Sequence, residues 1–390
     1  MTDQSNTTPG EGLNIDQGSI SSDGSQPTQA GTAQPEAPQP VWVRPAQPEQ
    51  WHETPELEYH QLLRGAPRYR WWKPVLGLVL GTLYYLTLSV VYGLVVLLPY
   101  LFLSGADLAD PDTIMSLAVP DTQNPVSILL TLGSVALMLP AALLGMLSVG
   151  LTPAKRLWSV ALRIRWRWIA RTIVPTLVVL VVINVLGIAL EIAFAGSVEA
   201  SEFAEEAPAI DMQAALVSLL LVLLLVPIQA TAEEVVFRGA LMQSLGGWFG
   251  GVRGSGGFAS FVRGPWLPIA IPAIAFGFAH IYDIWGWLVV VMMALVAGWI
   301  SWRTGGLEAA ITLHVINNLI AFGFMSFGVG GETSQTADGS GPGSVIAAVL
   351  GFLLFAWWVD RDFRRVDGRR SRIDVVLART VQTQTVQAPE

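Results

Sequence analysis

Apolar and polar positions alternate along this chain in whole segments rather than single residues. Apolar runs of roughly spanning length recur at 74–103, 126–151, 172–195, 212–245, 266–281, 285–302, 306–326 and 343–360. About 20 residues are needed for a helix to cross a bilayer. Between the runs lie short stretches rich in Gly, Pro, Asp or Arg. This pattern predicts an all-α fold, a polytopic transmembrane helix bundle of about eight spans. The fifth and sixth runs are short and joined by the tight turn Tyr282–Trp285, so they also read as a helical hairpin that stops short of crossing.

Composition agrees with the pattern. Hydrophobic residues make up 52% of the chain and charged residues 13%, against roughly 25% charged in soluble domains. An ordinary soluble domain is therefore excluded. The chain has no Cys, which removes disulfides, thiol nucleophiles and thiolate metal ligands together.

The net charge of −8 conceals a segregation of sign. Lys155, Arg156, Arg163, Arg165, Arg167 and Arg171 fall between the second and third runs; Arg253, Arg263 and Arg303 fall in later gaps on the same side. Five basic residues precede the first run and seven follow the last. The gaps 104–125, 196–211 and 327–342 contain no Lys or Arg but several Asp and Glu. Cytoplasmic loops are the ones enriched in Lys and Arg. The expected topology is thus a multi-pass protein of the cell membrane with both termini in the cytoplasm.

The flanks and loops complete the expected organisation. Residues 1–55 are rich in Pro, Gln and Ser and poor in aliphatics, as in a disordered cytoplasmic tail. There is no basic stretch followed by a short apolar one, so no signal peptide is predicted. Residues 56–73 read as a basic-aromatic interfacial segment, 74–211 as three accessory spans, and 212–326 as a functional core. Residues 327–360 then hold the last span and 361–390 a basic cytoplasmic tail. Loop 152–171 alternates basic and bulky apolar residues and is expected to lie on anionic headgroups or to be an ordinary loop. The Gly-rich loop 246–264 is expected to be pliable enough to gate a site beside it.

Three polar stations interrupt the apolar runs. The first, TAEEVVFRG, places Glu233, Glu234 and Arg238 within the fourth run. Charges inside a membrane cost at least about 2.5 kcal/mol each and mark functional sites. At 100° per residue Glu234 and Arg238 share a face, so they suit a scaffolding pair, while Glu233 points elsewhere without a local partner. Nearby Gln229 reads as helix polarity. The second station, IAFGFAHI, stacks Phe276 and His280 at i, i+4; the third, ITLHVINNLI, does the same for His314 and Asn318, with Asn317 beside them. Any one of these is compatible with interhelical hydrogen bonding. All three together point to a shared site.

The stations resemble the motifs EExxxR, FxxxH and HxxxN of the CPBP family of intramembrane proteases. That family includes the type II CAAX prenyl endopeptidases (the Ras-converting enzyme group) and bacterial immunity-type proteins. The matches are Glu233–Glu234–Arg238, Phe276–His280 and His314–Asn318, in the family's order, and the resemblance covers about 212–326. It implies an endopeptidase that hydrolyses a peptide bond near the membrane. Glu233 with His280 would activate a water, and His314 with Asn318 would supply oxyanion donors. Glu234 and Arg238 would hold the helix in register, and Phe276 would pack under His280 or line the groove.

A second version uses a divalent metal such as zinc on Glu233, His280 and His314, since two His and one Glu are a catalytic zinc set. The rival readings are a non-catalytic scaffold or immunity-type regulator of the same family and a proton-coupled transporter. The expected partners are membrane lipids and a peptide or protein substrate, lipid-modified or not, and no nucleic acid. If the fourth span starts at 212, Glu233 lies about 31 Å further on, near the arginine-bearing side. That favours a long fourth span reaching about Leu245 and a site open toward the cytoplasm.

Overall fold

In lipid only a helix satisfies every backbone N–H and C=O within one segment, and the apolar runs are helical. The computed structural model describes residues 49–195, 209–329, 331–335, 340–366 and 368–379. Its helices are α1 (Lys73–Ser104), α2 (Pro111–Ala118), α3 (Pro125–Ala136), α4 (Met138–Ser148), α5 (Trp166–Ala195) and α6 (Met212–Glu234). They continue with α7 (Met242–Phe249), α8 (Gly257–Arg263), α9 (Trp266–Phe278), α10 (Ile284–Thr304), α11 (Glu308–Ser326) and α12 (Pro342–Arg365). Among the described residues seven helical segments are long and apolar enough to cross a membrane. The α8–α9 pair, bent by 50°, raises this to as many as eight. The protein is a polytopic helical bundle.

Two spans depart from regular geometry at the centre of the bundle. The fourth span continues without a break from Met212 to Phe249, because a π-helical stretch, Val235–Leu241, joins α6 to α7. By contrast, α9 has only 13 residues, about 20 Å at 1.5 Å per residue. Asp283 caps α10 by accepting from the Gly286 N–H, so the turn between the two helices is fixed.

Packing follows the distribution of small residues. On α1, Gly77 and Gly81 face Ala141 and Gly145 of α4, and a Cβ at Gly145 would collide with the Gly77 carbonyl oxygen. Such close backbone approach is how membrane helices associate when lipid removes the hydrophobic drive. The outer face of α1 exposes Leu83, Leu86, Val90 and Val95, as lipid contact requires. α5 packs along α12, while α6 and α11 pack side by side at the centre. Phe276, Ile300, Leu313 and Phe355 are all buried in the same apolar core.

One end of the bundle is built from paired arginines. Arg165 donates from Nε and Nη2 to Glu308 at 2.8 and 2.6 Å and from Nη1 to the Thr304 carbonyl. Arg303 pairs with Asp360 at 2.9 Å, and Arg156 with Asp374 at 2.6 Å. Loop 152–171 is folded against the protein at Arg156, Arg165 and Trp168, with Arg156 and Trp168 buried, while Arg163, Trp166, Arg167 and Arg171 stay exposed.

The segments on either side of the bundle meet at this end. Strand β1 (Glu49–Glu53) pairs antiparallel with β4 (Val375–Arg379), and β2 (Leu57–Glu58) with β3 (Ser371–Arg372). Residues 49–53, read from composition as the end of a polar tail, are thus in sheet; residues 1–48 lie outside the described residues. The segment after residue 360 holds the end of α12 and both returning strands. Within the expected interfacial segment, Tyr59, His60, Leu62 and Leu63 are buried in a 3-10 helix packed on α7. Gly246 of α7 leaves no room for a side chain against the His60 backbone, so the start of the Gly-rich loop is a packing surface.

Burial alone would push the Asp374 carboxyl up, but hydrogen bonds from Arg156 and Arg372 hold it below the usual carboxylate range. Its stabilising effect is complete above the ordinary carboxylate pKa and is lost as pH falls through the lowered one. Asp374→Asn is expected to leave Arg156 buried without a counter-ion and to cost about 3 kcal/mol. The readout is a lower unfolding temperature in detergent, by a margin that narrows as the pH is taken into the acid range.

Candidate active site

The three polar stations lie on three different elements. Glu233 and Glu234 end α6 and Arg238 sits in the π-helical stretch; Phe276 is in α9 and His280 just beyond it; His314, Asn317 and Asn318 are on α11. π-bulges recur at functional sites because they change the phase of a helix locally. Here the change comes directly after the paired glutamates.

Both glutamates reach the same imidazole. His314 Nδ1 lies 2.9 Å from Glu234 Oε1 and His314 Nε2 lies 3.3 Å from Glu233 Oε2. On its other side Glu234 Oε1 accepts from Arg238 Nη1 at 3.0 Å, and both members of that pair are buried. Glu233 also accepts from Gln229 Nε2 at 2.7 Å. Its expected isolation does not hold, because Gln229 sits one turn before it on the same helix face. Asn318 Nδ2 donates to Gln229 Oε1 at 3.3 Å, and Asn317 Nδ2 to Asn318 Oδ1 at 3.2 Å. One continuous polar chain therefore runs from Asn317 to Arg238 and ties α6 to α11.

Phe276 is the apolar partner of this chain. It is fully buried. Arg238 lies over its ring at 4.6 Å, a cation–π distance. Its ring also meets His280 at 4.6 Å and His314 edge-on at 5.7 Å. Phe276 thus packs under His280 and does not line the groove.

His280 is held by its own helix end. Its Nδ1 lies 2.8 Å from the Phe276 carbonyl oxygen. A carbonyl only accepts, so Nδ1 carries the proton and the neutral ring keeps its lone pair on Nε2. Tyr282 stacks on the ring at 5.8 Å and accepts from Gln335 Nε2 at 2.6 Å.

A cavity of about 550 Å³ opens beside these groups, lined in its depth by Gln229, Glu233, His280, Asn317 and Asn318. Glu234, Arg238, Phe276 and His314 stand behind its wall. Its far end is lined by Val119, Pro120, Met325 and Gln335, from the arginine-free end of the bundle. The expected opening toward the arginine-bearing side is not what the structure has, because the buried Glu234–Arg238–Phe276 layer closes that direction.

It is in this same stretch of chain that comparison with known proteins finds a match. Residues 214–320 match the family model described as type II CAAX prenyl endopeptidase Rce1-like. That stretch of the chain is similar to this family. No curated protein and no solved structure matches it. The matched stretch spans α6 to most of α11 and contains all seven residues of the three motifs, from Glu233 to Asn318. The match implies a CAAX-protease-type membrane endopeptidase.

Among the described residues no group of three or more His, Asp or Glu side chains is disposed to hold a metal ion. Within the matched stretch His314 presents both ring nitrogens to carboxylates, and His280 has one nitrogen on a backbone carbonyl.

Sequence reasoning read Gln229 as mere helix polarity and passed over two further side chains at this site. Gln229 had a legible signal, its i, i+4 spacing to Glu233. Tyr282 and Gln335 had none, since they come from a turn and a distant loop that only the fold brings together.

Removing Arg238 is expected to leave Glu234 buried without its cation. Arg238→Ala should lower stability by about 3 kcal/mol. Gln229→Ala, on the cavity wall, should cost about 1 kcal/mol. Melting curves of the purified variants in detergent give both values.

Proposed function

We propose that the chain is an intramembrane endopeptidase in which Glu233 and His280 together activate a water for attack on a peptide carbonyl. The observation that carries this reading is that a carboxylate from α6 and an imidazole from the end of α9 line one cavity, with the amides of α11 on its other wall. Peptide hydrolysis needs a base for water and donors for the oxyanion. Glu233 takes the water proton as the oxygen bonds to the carbonyl carbon. His280, with its lone pair on Nε2, orients the same water by accepting its second O–H. The proton on Glu233 then passes to the leaving amine as the C–N bond breaks, so the products are a carboxylic acid and an amine.

Asn318 supplies the oxyanion donor, its amide turning from Gln229 toward the developing charge. His314 is a positioning residue. Held between two carboxylates, it fixes where the Glu233 oxygen sits, and Glu234 with Arg238 fixes His314. Substrates of the reading are membrane peptides or proteins, lipid-modified or not, and both termini of the chain lie in the cytoplasm on the strength of its basic loops.

Glu233→Gln is expected to lower the cleavage rate by about a thousandfold while protein level and melting temperature hold. His280→Ala should fall into the same range, and a chelator should leave the wild-type rate unchanged. The substrate is found by proteomic comparison of membranes carrying wild-type and Glu233→Gln protein, as precursors that stay uncut in the variant. Unchanged cleavage by Glu233→Gln would defeat the reading.

A further inference from the structure

The two ends of the bundle differ in a way the proposed chemistry does not use. At the arginine-bearing end the site is sealed. Beneath Glu233 lie Glu234, Arg238, Phe276 and His314, each no more than 2% exposed. Under them a second layer contains Tyr59, Leu62, Leu157, Val235, Ala240 and Leu307, all buried in one cluster. The Tyr59 hydroxyl donates to the Leu157 carbonyl at 2.6 Å and closes the layer from beneath. A peptide reaching Glu233 from that end would have to unpack two buried layers.

Toward the other end the cavity is continuous. On α11 its lining runs from Asn318 to Met325, seven residues or about 10 Å along the helix axis. It then reaches Val119 and Pro120 of the α2–α3 connection and Gln335 of the α11–α12 connection. Those connections are joined by the Gln335 N–H donating to the Pro120 carbonyl at 2.9 Å and the Thr122 N–H to the Thr333 carbonyl at 2.8 Å. No Lys or Arg lies in any loop at this end, residues 196–208 and 336–339 included. By the rule that places basic loops in the cytoplasm, this end faces outward.

The lining carries a second constraint. It contains no Lys and no Arg, and Glu233 is its one carboxylate. A free C-terminal carboxylate brought beside Glu233 in a low-dielectric cavity would need a cation that is not there. An internal stretch of chain, uncharged or basic near the cut bond, meets no such cost.

We infer that the site takes its substrate from the extracytoplasmic face, as an internal segment of a membrane-anchored chain that emerges there. The inference rests on the endopeptidase reading for what happens to that segment, but the side of access stands on geometry and charge alone.

The absence of Cys makes the side directly measurable, since a single introduced thiol reports without background. In intact cells expressing the full chain, a membrane-impermeant maleimide is expected to label Ala118→Cys and Gln335→Cys. It should reach Arg369→Cys only after permeabilisation, with at least a tenfold contrast. Rim cysteines that need permeabilisation overturn the inference. A fluorogenic membrane-impermeant peptide added to the same cells should be cut in a Glu233-dependent way without permeabilisation, and its amidated form at least as fast as its free acid. A tenfold preference for the free acid overturns the internal-segment part. If no peptide is cut in either state while the rim cysteines label from outside, the proteolytic reading fails and the side of access stands.

Discussion

The imidazole of His314, held between the carboxylates of Glu233 and Glu234, is the contact on which the rest of this structure depends. Two adjacent carboxylates in an apolar helix are costly to desolvate and repel each other. An imidazole offers one ring nitrogen to each, and Arg238 neutralises the inner one. The outer carboxylate is left at the cavity wall with only neutral Gln229 and the ring of His314 to hold it. The result is two acids of the same residue type, Glu234 buried behind the cavity wall and Glu233 lining the cavity.

That contact constrains the helices around it. It requires α6 and α11 to run side by side at fixed depth, and Phe276 then fills the space beneath both histidines. α9 ends after 13 residues, so His280 is delivered into the bundle interior on a turn and not on the flank of a long span. The π-helical stretch after Glu234 lets the fourth span continue to Phe249 while presenting Arg238 back toward Glu234. Each of these is a local irregularity of a transmembrane helix, and backbone irregularity within a bilayer is tolerated where protein or a cavity surrounds it.

The two ends of the molecule divide the labour. At one, ion pairs from Arg156, Arg165 and Arg303 to Asp374, Glu308 and Asp360 tie helix ends, loops and terminal strands into a closed platform. At the other, the connections after α2 and α11 surround the mouth of the cavity.

Hydropathy by itself determined the helical bundle and its approximate spans, because lipid leaves a long apolar segment only one backbone solution. Polarity within apolar runs also singled out Glu233, and i, i+4 spacing His280, His314 and Asn318, since a charge or amide in such a segment stands out against its surroundings. What sequence could not carry was how those residues divide between cavity and wall. That His314 takes both glutamates, that Gln229 holds Glu233 and that Tyr282 meets Gln335 all depend on helix rotation and depth. So does the direction in which the cavity runs. Rotation and depth are set by side-chain packing between segments far apart in the chain, such as Gly145 against Gly77, and no local pattern encodes them.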